Sequence, residues 1–221
     1  MNKMLNLYNY KKLERIENNG IRFYDTQDGY KLPSVTTILS YGKDTSFLDQ
    51  WRERVGDDEA KRITEEAQNI GTHLHSNLEN FLLDKPERTG PLISKMFADT
   101  IIRKGLKHVT EIWGIEATVY YPQLFAGTTD LVGKWKHKPA IIDYKNARRA
   151  KKDEWVEDYK LQLCAYGEAH NALFGTNIET GVILMMSREG AYQEFVIEGS
   201  EYHKYKDMWL ERVYNYYKNT L

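Results

Sequence analysis

Apolar and polar positions follow two different periods along the chain. From Phe47 to Leu83, Leu48, Trp51 and Val55, then Ile63, Ala67 and Ile70, recur at helical spacing while charged residues take the other face. The spacing predicts helix through this stretch, with Gly56 and Gly71 as breaks. Another helix is predicted from Leu92 to about Gly105, after a Pro- and Gly-containing loop at Lys85 to Pro91. After Lys107 the period falls to two. Ile115, Ala117, Val119 and Tyr121 alternate with Glu116, Thr118 and Tyr120, as in a half-buried strand.

Leu124 to Trp135 and Ala140 to Lys145 continue this sheet. The short connection Lys136-His137-Lys138-Pro139 makes them antiparallel neighbours. Asp153 to Phe174 reads as a long amphipathic helix ended by Gly175, with Trp155, Leu161, Ala165 and Ala169 available for packing. Val182 to Met186 and Tyr192 to Ile197 are further strands. Glu201 to Tyr217 closes the chain as a helix packed through Tyr205, Met208, Trp209 and Val213. At the start, Ile21 to Tyr24 and Tyr30 to Leu32 flank an Asp28-Gly29 step suited to a hairpin turn, and Ser34 can cap a short helix at Val35 to Leu39. The order predicts an α/β fold of one domain, residues 1–221, with a helical region at about 34–106 and a sheet core at about 111–221.

Composition narrows the chemistry. Lys and Arg number 31 against 32 Asp and Glu, so the net charge of -1 supplies no global field and any polyanion must meet a local patch. Cys164 is the single cysteine, which excludes an intrachain disulfide, a zinc ribbon and, in a monomer, a four-cysteine iron–sulfur cluster. No segment has the apolar length of a membrane span, and Met1 to Lys12 lacks an export pattern, so a soluble cytoplasmic protein is expected.

In Ile141-Ile142-Asp143-Tyr144-Lys145, the period of two puts Asp143 and Lys145 on one side of a strand. A lone carboxylate at the end of an apolar run costs several kcal/mol unless a cation or donors answer it. The hairpin brings Asp130 of Gly127-Thr128-Thr129-Asp130 beside Asp143, and paired hard oxygen ligands suit Mg²⁺ or Mn²⁺. In Gly71-Thr72-His73-Leu74-His75, His75 shares a helical face with Glu79, four residues on; His73 lies on a different face and is expected to be structural. Gln162 and Tyr166 share the same spacing. Arg148, Arg149, Lys151 and Lys152 form a basic run between the strand and that helix, placed to hold phosphates.

Together these segments resemble the PD-(D/E)xK nucleases, within them the RecB-like exonuclease branch. Leu32-Pro33-Ser34-Val35-Thr36-Thr37-Ile38-Leu39, Gly71-Thr72 with His75 and Glu79, Gly127 to Asp130, Asp143-Tyr144-Lys145, and Gln162 with Tyr166 occur in the family's order and cover most of the chain. The resemblance implies a restriction-endonuclease-like central mixed sheet flanked by helices, with an N-terminal helical arch through which single-stranded DNA can thread. It implies metal ligation by His75, Asp130, Asp143 and the Tyr144 carbonyl. Catalytic roles would fall to these acids and His75 with Glu79, Lys145 and Gln162, and DNA contacts to Thr72, Tyr166, Arg148, Arg149, Lys151 and Lys152. Thr129 stands where the family motif has Pro, and the cysteines that hold a cluster in some members are missing, which points to an exonuclease without an iron–sulfur cluster. A phage or bacterial origin is expected by the same resemblance, with a monomer preferred.

Each motif also has a plainer reading. Asp-x-Lys on an exposed strand is usually a structural salt bridge, His75 alone a surface histidine, and the basic run a solvated loop. Their joint occurrence favours a metal-dependent DNA exonuclease. An endonuclease of the same fold and a non-catalytic DNA-binding accessory protein are the rivals. Trp113, Trp155 and Trp209 are expected in the core, Tyr41, Phe47 and Trp51 as candidates for base stacking, and Glu116 as at most a neighbour of the site. Gly127 to Gly133-Lys134 has the wrong spacing for a phosphate loop, which disfavours a nucleotidase.

Overall fold

The computed structural model describes residues 4–5, 7–18, 21–26 and 29–220. The alternating segments after Lys107 become β4 (Val109–Tyr121), β5 (Phe125–Trp135) and β6 (Lys138–Ala147), then β7 (Thr180–Ser187) and β8 (Tyr192–Glu198). They form one five-stranded sheet in the order β4-β5-β6-β7-β8, antiparallel except for the parallel β6–β7 pair. The expected mixed sheet is therefore present. The β5–β6 link is tighter than expected: Trp135 pairs with Lys138, and Lys136 and His137 both take positive φ in a two-residue turn.

Helices cover both faces of this sheet. On one side lie α1 (Val35–Ser40), α5 (Glu157–Phe174) and α6 (Ser200–Thr220), which bury Ile38, Leu161, Ala165 and Trp209 against Val119, Val132, Ile141 and Ile183. Ser34 caps α1 as expected by accepting the Thr37 amide, and Gly175 ends α5 in the left-handed region. On the other side, α3 (Asp57–Leu82) and α4 (Leu92–Lys104) pack Ile70, Leu74, Leu78 and Ile101 onto Leu131, Ile142, Val182 and Leu184. Ile70, Leu74, Leu78 and Leu82 form a stripe at spacing four, which seats α3 and fixes the neighbouring stripe of His75 and Glu79. Truncating Leu74, fully buried here, to Ala would cost about 2–5 kcal/mol and loosen that seat.

Several expectations change. Gly56 does separate α2 (Ser46–Val55) from α3, but Gly71 lies within unbroken α3. Its role is close approach, since a Cβ there would stand 3.0 Å from Asn146 Oδ1 on β6. The first strand of the large sheet starts at Val109, six residues before the alternation read from sequence. The long helix after β6 begins with a turn of 3-10 helix at Asp153–Val156. Trp113 and Trp209 are core, whereas Trp155, on that turn, is 55% exposed.

A second sheet joins β1 (Glu14–Asn18), β2 (Ile21–Asp25) and β3 (Lys31–Pro33), all antiparallel. The β2–β3 pair is the expected hairpin, though Gln27 and Asp28 of its turn lie outside the described residues. The sequence reading missed β1, whose Glu-Arg-Ile-Glu-Asn has no apolar alternation. Among the described residues, no helix is long and apolar enough to cross a membrane.

Candidate metal centre

The site lies where two paired strands part. The β5–β6 ladder runs from Trp135 with Lys138 to Leu131 with Ile142 and stops there, while β6 stays paired with β7 as far as Ala147 with Ser187. In that register the next positions are Asp130 and Asp143. Asp130 Oδ2 accepts the Tyr144 amide at 2.7 Å, so a carboxylate takes the place of a missing strand carbonyl. A residue's N–H and C=O point to the same side of an extended strand, so the Tyr144 carbonyl faces the same gap. Asp143 and Lys145 share the α5 side, as the period of two predicted, with Nζ 2.7 Å from Oδ2. That oxygen is buried, and the Lys145 ammonium is the cation that answers it.

His75 reaches the gap from α3. Its Nδ1 stands 3.2 Å from Asp130 Oδ1, and its ring meets the Tyr144 ring edge-on at 5.8 Å. Glu116 closes the group: one ligand atom each from His75, Glu116 and Asp130 lie within 4.8 Å of one another. On β4, Ile115 pairs with Leu131 and Ala117 with Thr129, which sets Glu116 opposite Asp130. Its φ of 47° puts a non-glycine residue in the left-handed region, at about 1–2 kcal/mol, and such strain collects at functional sites. Sequence reasoning undervalued Glu116. The available signal was its register opposite Asp130 across a hairpin.

The charges are mutually dependent. Burial opposes the His75 cation, but the Asp130 carboxylate and its contact outweigh this, with Asp143 adding to them, and raise the ring's pKa to about 9. Burial also opposes the Asp130 anion, yet His75 and Lys145 hold its pKa below the usual range. Asp143 is pushed up to about 6 by burial, against the pull of Lys145 and with Asp130 adding repulsion. Glu116 rises to about 7, through burial first and then Asp130. Lys145 is desolvated too, but Asp143 and Asp130 raise its pKa and keep it charged. Three carboxylates thus converge on a spot answered by a lysine, an imidazole and the Tyr144 amide. A small divalent cation fits this donor set of hard oxygens and one ring nitrogen.

The other sequence candidates take distinct places. Glu79, one turn beyond His75, acts on Glu116 through its charge but lies outside the three-residue group. Thr72 is exposed on α3. Gln162 Nε2 donates to Tyr166 Oη at 2.8 Å, and the Tyr166 ring lies where a Cβ on Gly127 would fall, 2.5 Å from Cε1. The two residues therefore form a bonded pair against β5. His73 is structural as expected, bonded to Thr89 at 3.1 Å. Arg148, Arg149 and Lys151 line an open cavity of about 390 Å³ with Trp155, and Lys152 lies over the Trp155 ring. Tyr159, unmarked in the sequence, carries the Lys145 ammonium 4.9 Å from its ring centroid. Phe47 is exposed and Trp51 half-buried on α2, while Tyr41 packs edge-on against Tyr216.

Comparison with known proteins finds relatives by sequence. The chain is 28% identical over 202 residues to mitochondrial genome maintenance exonuclease 1 of Mus musculus, covering 84% of this chain and 59% of that protein. It is 25% identical over 204 residues to the Xenopus tropicalis protein of the same name, covering 85% of this chain and 58% of that one. The chain thus spans less than two thirds of the length of these curated relatives. A solved structure from Eubacterium rectale, described as a candidate exonuclease, aligns with a TM-score of 0.45 at 13% identity over 70% of this chain and 68% of that one. No family model matches the chain.

Proposed function

We propose that this chain, akin to the RecB-like PD-(D/E)xK exonucleases, hydrolyses DNA phosphodiester bonds from strand ends with the help of Mg²⁺ or Mn²⁺. The observation that carries the reading is the fork between β5 and β6, where His75, Glu116 and Asp130 gather beside the Asp143–Lys145 pair. His75, Glu116, Asp130, Asp143 and the Tyr144 carbonyl would hold the ion. Its contribution when bound is charge: it offsets the negative charge that gathers on the phosphate oxygens and makes water a stronger acid.

The protein's own groups do the rest. Lys145 is the cation beside the reacting centre, held charged by two carboxylates and set over the Tyr159 ring, where it orients the attacking water or a phosphate oxygen. Glu79 keeps the rim acidic and adds to the pull on the ion. Gln162 and Tyr166 support the wall at Gly127 as a bonded pair, Gln162 serving the chemistry and Tyr166 the DNA. Thr72, Arg148, Arg149, Lys151 and Lys152 contact phosphates flanking the scissile bond. Single strands, or one strand of a duplex, are the proposed substrate, and a monomer is the proposed form.

The test is cleavage of 5′- and 3′-labelled linear strands beside closed single-stranded circles, with magnesium and with chelator. Linear strands should shorten from an end only when magnesium is present, and circles should survive. Circles cut as fast as linear strands would make the enzyme an endonuclease, and no metal-dependent cutting would remove the reading.

A further inference from the structure

The N-terminal segment and β4 enclose an open groove of about 970 Å³ whose lining includes Glu116. The segment first lies along β4, where Met4 bridges Ile112 and the Leu5 amide donates to the Ile112 carbonyl at 2.8 Å. It then lifts away. Gly114 makes this possible, since a Cβ there would stand 2.6 Å from the Tyr10 ring. Tyr10 is held in turn by its hydroxyl against His170 Nε2 at 3.0 Å, and Tyr8 packs edge-on against Trp113. The rings of Tyr8 and Tyr10 are thus built into the wall, and the groove they support is a fixed part of the fold.

Its charge is one-sided. Lys11, Lys12 and Arg15 line the groove and are exposed, and among the described residues none of them is in an ion pair. Asn9, Thr118 and Thr128 add hydrogen-bonding groups, and Glu116, the acid among the lining residues, also belongs to the group at the metal centre. Three uncommitted cations in a chain of net charge -1 form the kind of local patch that attracts a polyanion. Contacts of this kind position a backbone without reading bases.

We infer that this groove is a second nucleic-acid track, in which Lys11, Lys12 and Arg15 hold the phosphates of a single DNA strand on its way to Glu116 and the metal centre. The inference rests on the nuclease reading for its purpose but not for its measurement. It lies on the β4 side of the centre, apart from the basic run of Arg148 to Lys152 that follows β6, so the two surfaces hold the strand on different sides of the reacting phosphate.

The experiment is fluorescence anisotropy of a labelled oligothymidylate with the full chain in chelator, across a salt series. The variant K11Q/K12Q/R15Q is compared with the charge-conserving K11R/K12R/R15K, and thermal melting checks both folds. Removing three phosphate contacts should weaken binding by about 10- to 100-fold at moderate salt and reduce the log–log salt slope by about 2. The charge-conserving variant should keep the wild-type slope. An unchanged slope and affinity in the glutamine variant would overturn the track. Binding that follows the expectation while magnesium supports no cleavage would leave the track standing and remove the nuclease reading instead.

Discussion

Asp130 occupies the hydrogen-bonding place of a strand carbonyl for Tyr144, taking its amide at 2.7 Å while the other carboxylate oxygen faces His75 at 3.2 Å. One side chain therefore both terminates a ladder and contributes to the proposed metal site, and the two roles separate by substitution. Asp130→Asn keeps an oxygen for the Tyr144 amide, so the fold should hold in urea melts. Manganese affinity by titration calorimetry and cleavage should each fall by about 100-fold or more. Asp130→Leu leaves the amide without a partner and should lose a further 1–3 kcal/mol or about that of stability. Full cleavage by the asparagine variant would exclude Asp130 from the chemistry.

Lys145→Ala should bind labelled DNA nearly as well as the parent while turnover drops by about 100- to 10,000-fold, because the ammonium acts on the reacting groups more than on the bound strand. Gel-shift titrations and single-turnover rates measured together would separate the two. A matched loss of binding and rate would instead make Lys145 an ordinary phosphate contact.

Glu116 offers a test with opposite signs. Its φ of 47° favours glycine, so Glu116→Gly should relieve backbone strain and raise stability by about 1 kcal/mol while weakening manganese binding and cleavage. Glu116→Gln should weaken metal binding without the gain in stability. A glycine variant that is less stable yet fully active would show that the strain serves no site.

His170 makes the fold acid-sensitive. Its ring is fully buried among Tyr8, Trp113 and Phe174, with its nitrogens on Tyr10 and Thr176, and burial lowers its pKa from 6.5 to about 4. As pH falls, the unfolded chain takes up this proton first. Stability from the neutral ring is complete above about 6.5 and is lost progressively towards 4, to the extent of about 3 kcal/mol. Urea midpoints between pH 7 and 4.5 should fall less steeply in His170→Gln than in the parent, and parallel slopes would contradict the assignment.

The sequence exposed the parts of this molecule that obey a period. Alternation put Asp143 beside Lys145, and a short connection made β5 and β6 neighbours, so the pattern alone brings two acids together. Helical spacing likewise put His75 and Glu79 on one face. What stayed hidden depends on departures from regularity. Glu116 enters the site through a positive φ inside a strand, which no periodic pattern announces. Gly71 reads as a helix break, yet its lack of a side chain serves contact with Asn146 on a distant strand. Trp155 has the composition of a core residue but sits on a 3-10 turn, where it stays more than half exposed. Gln162 and Tyr166 appeared as two candidates for the site, and the structure bonds them to each other.

The contact of Met4 and Leu5 with Ile112 also governs how this molecule behaves among its own copies. β4 is the outermost strand of the large sheet, and a bare rim of amides and carbonyls recruits foreign strands. A shortened form lacking these first residues would present that rim to solvent and would tend to clump during storage or refolding, even with its core and its acids untouched.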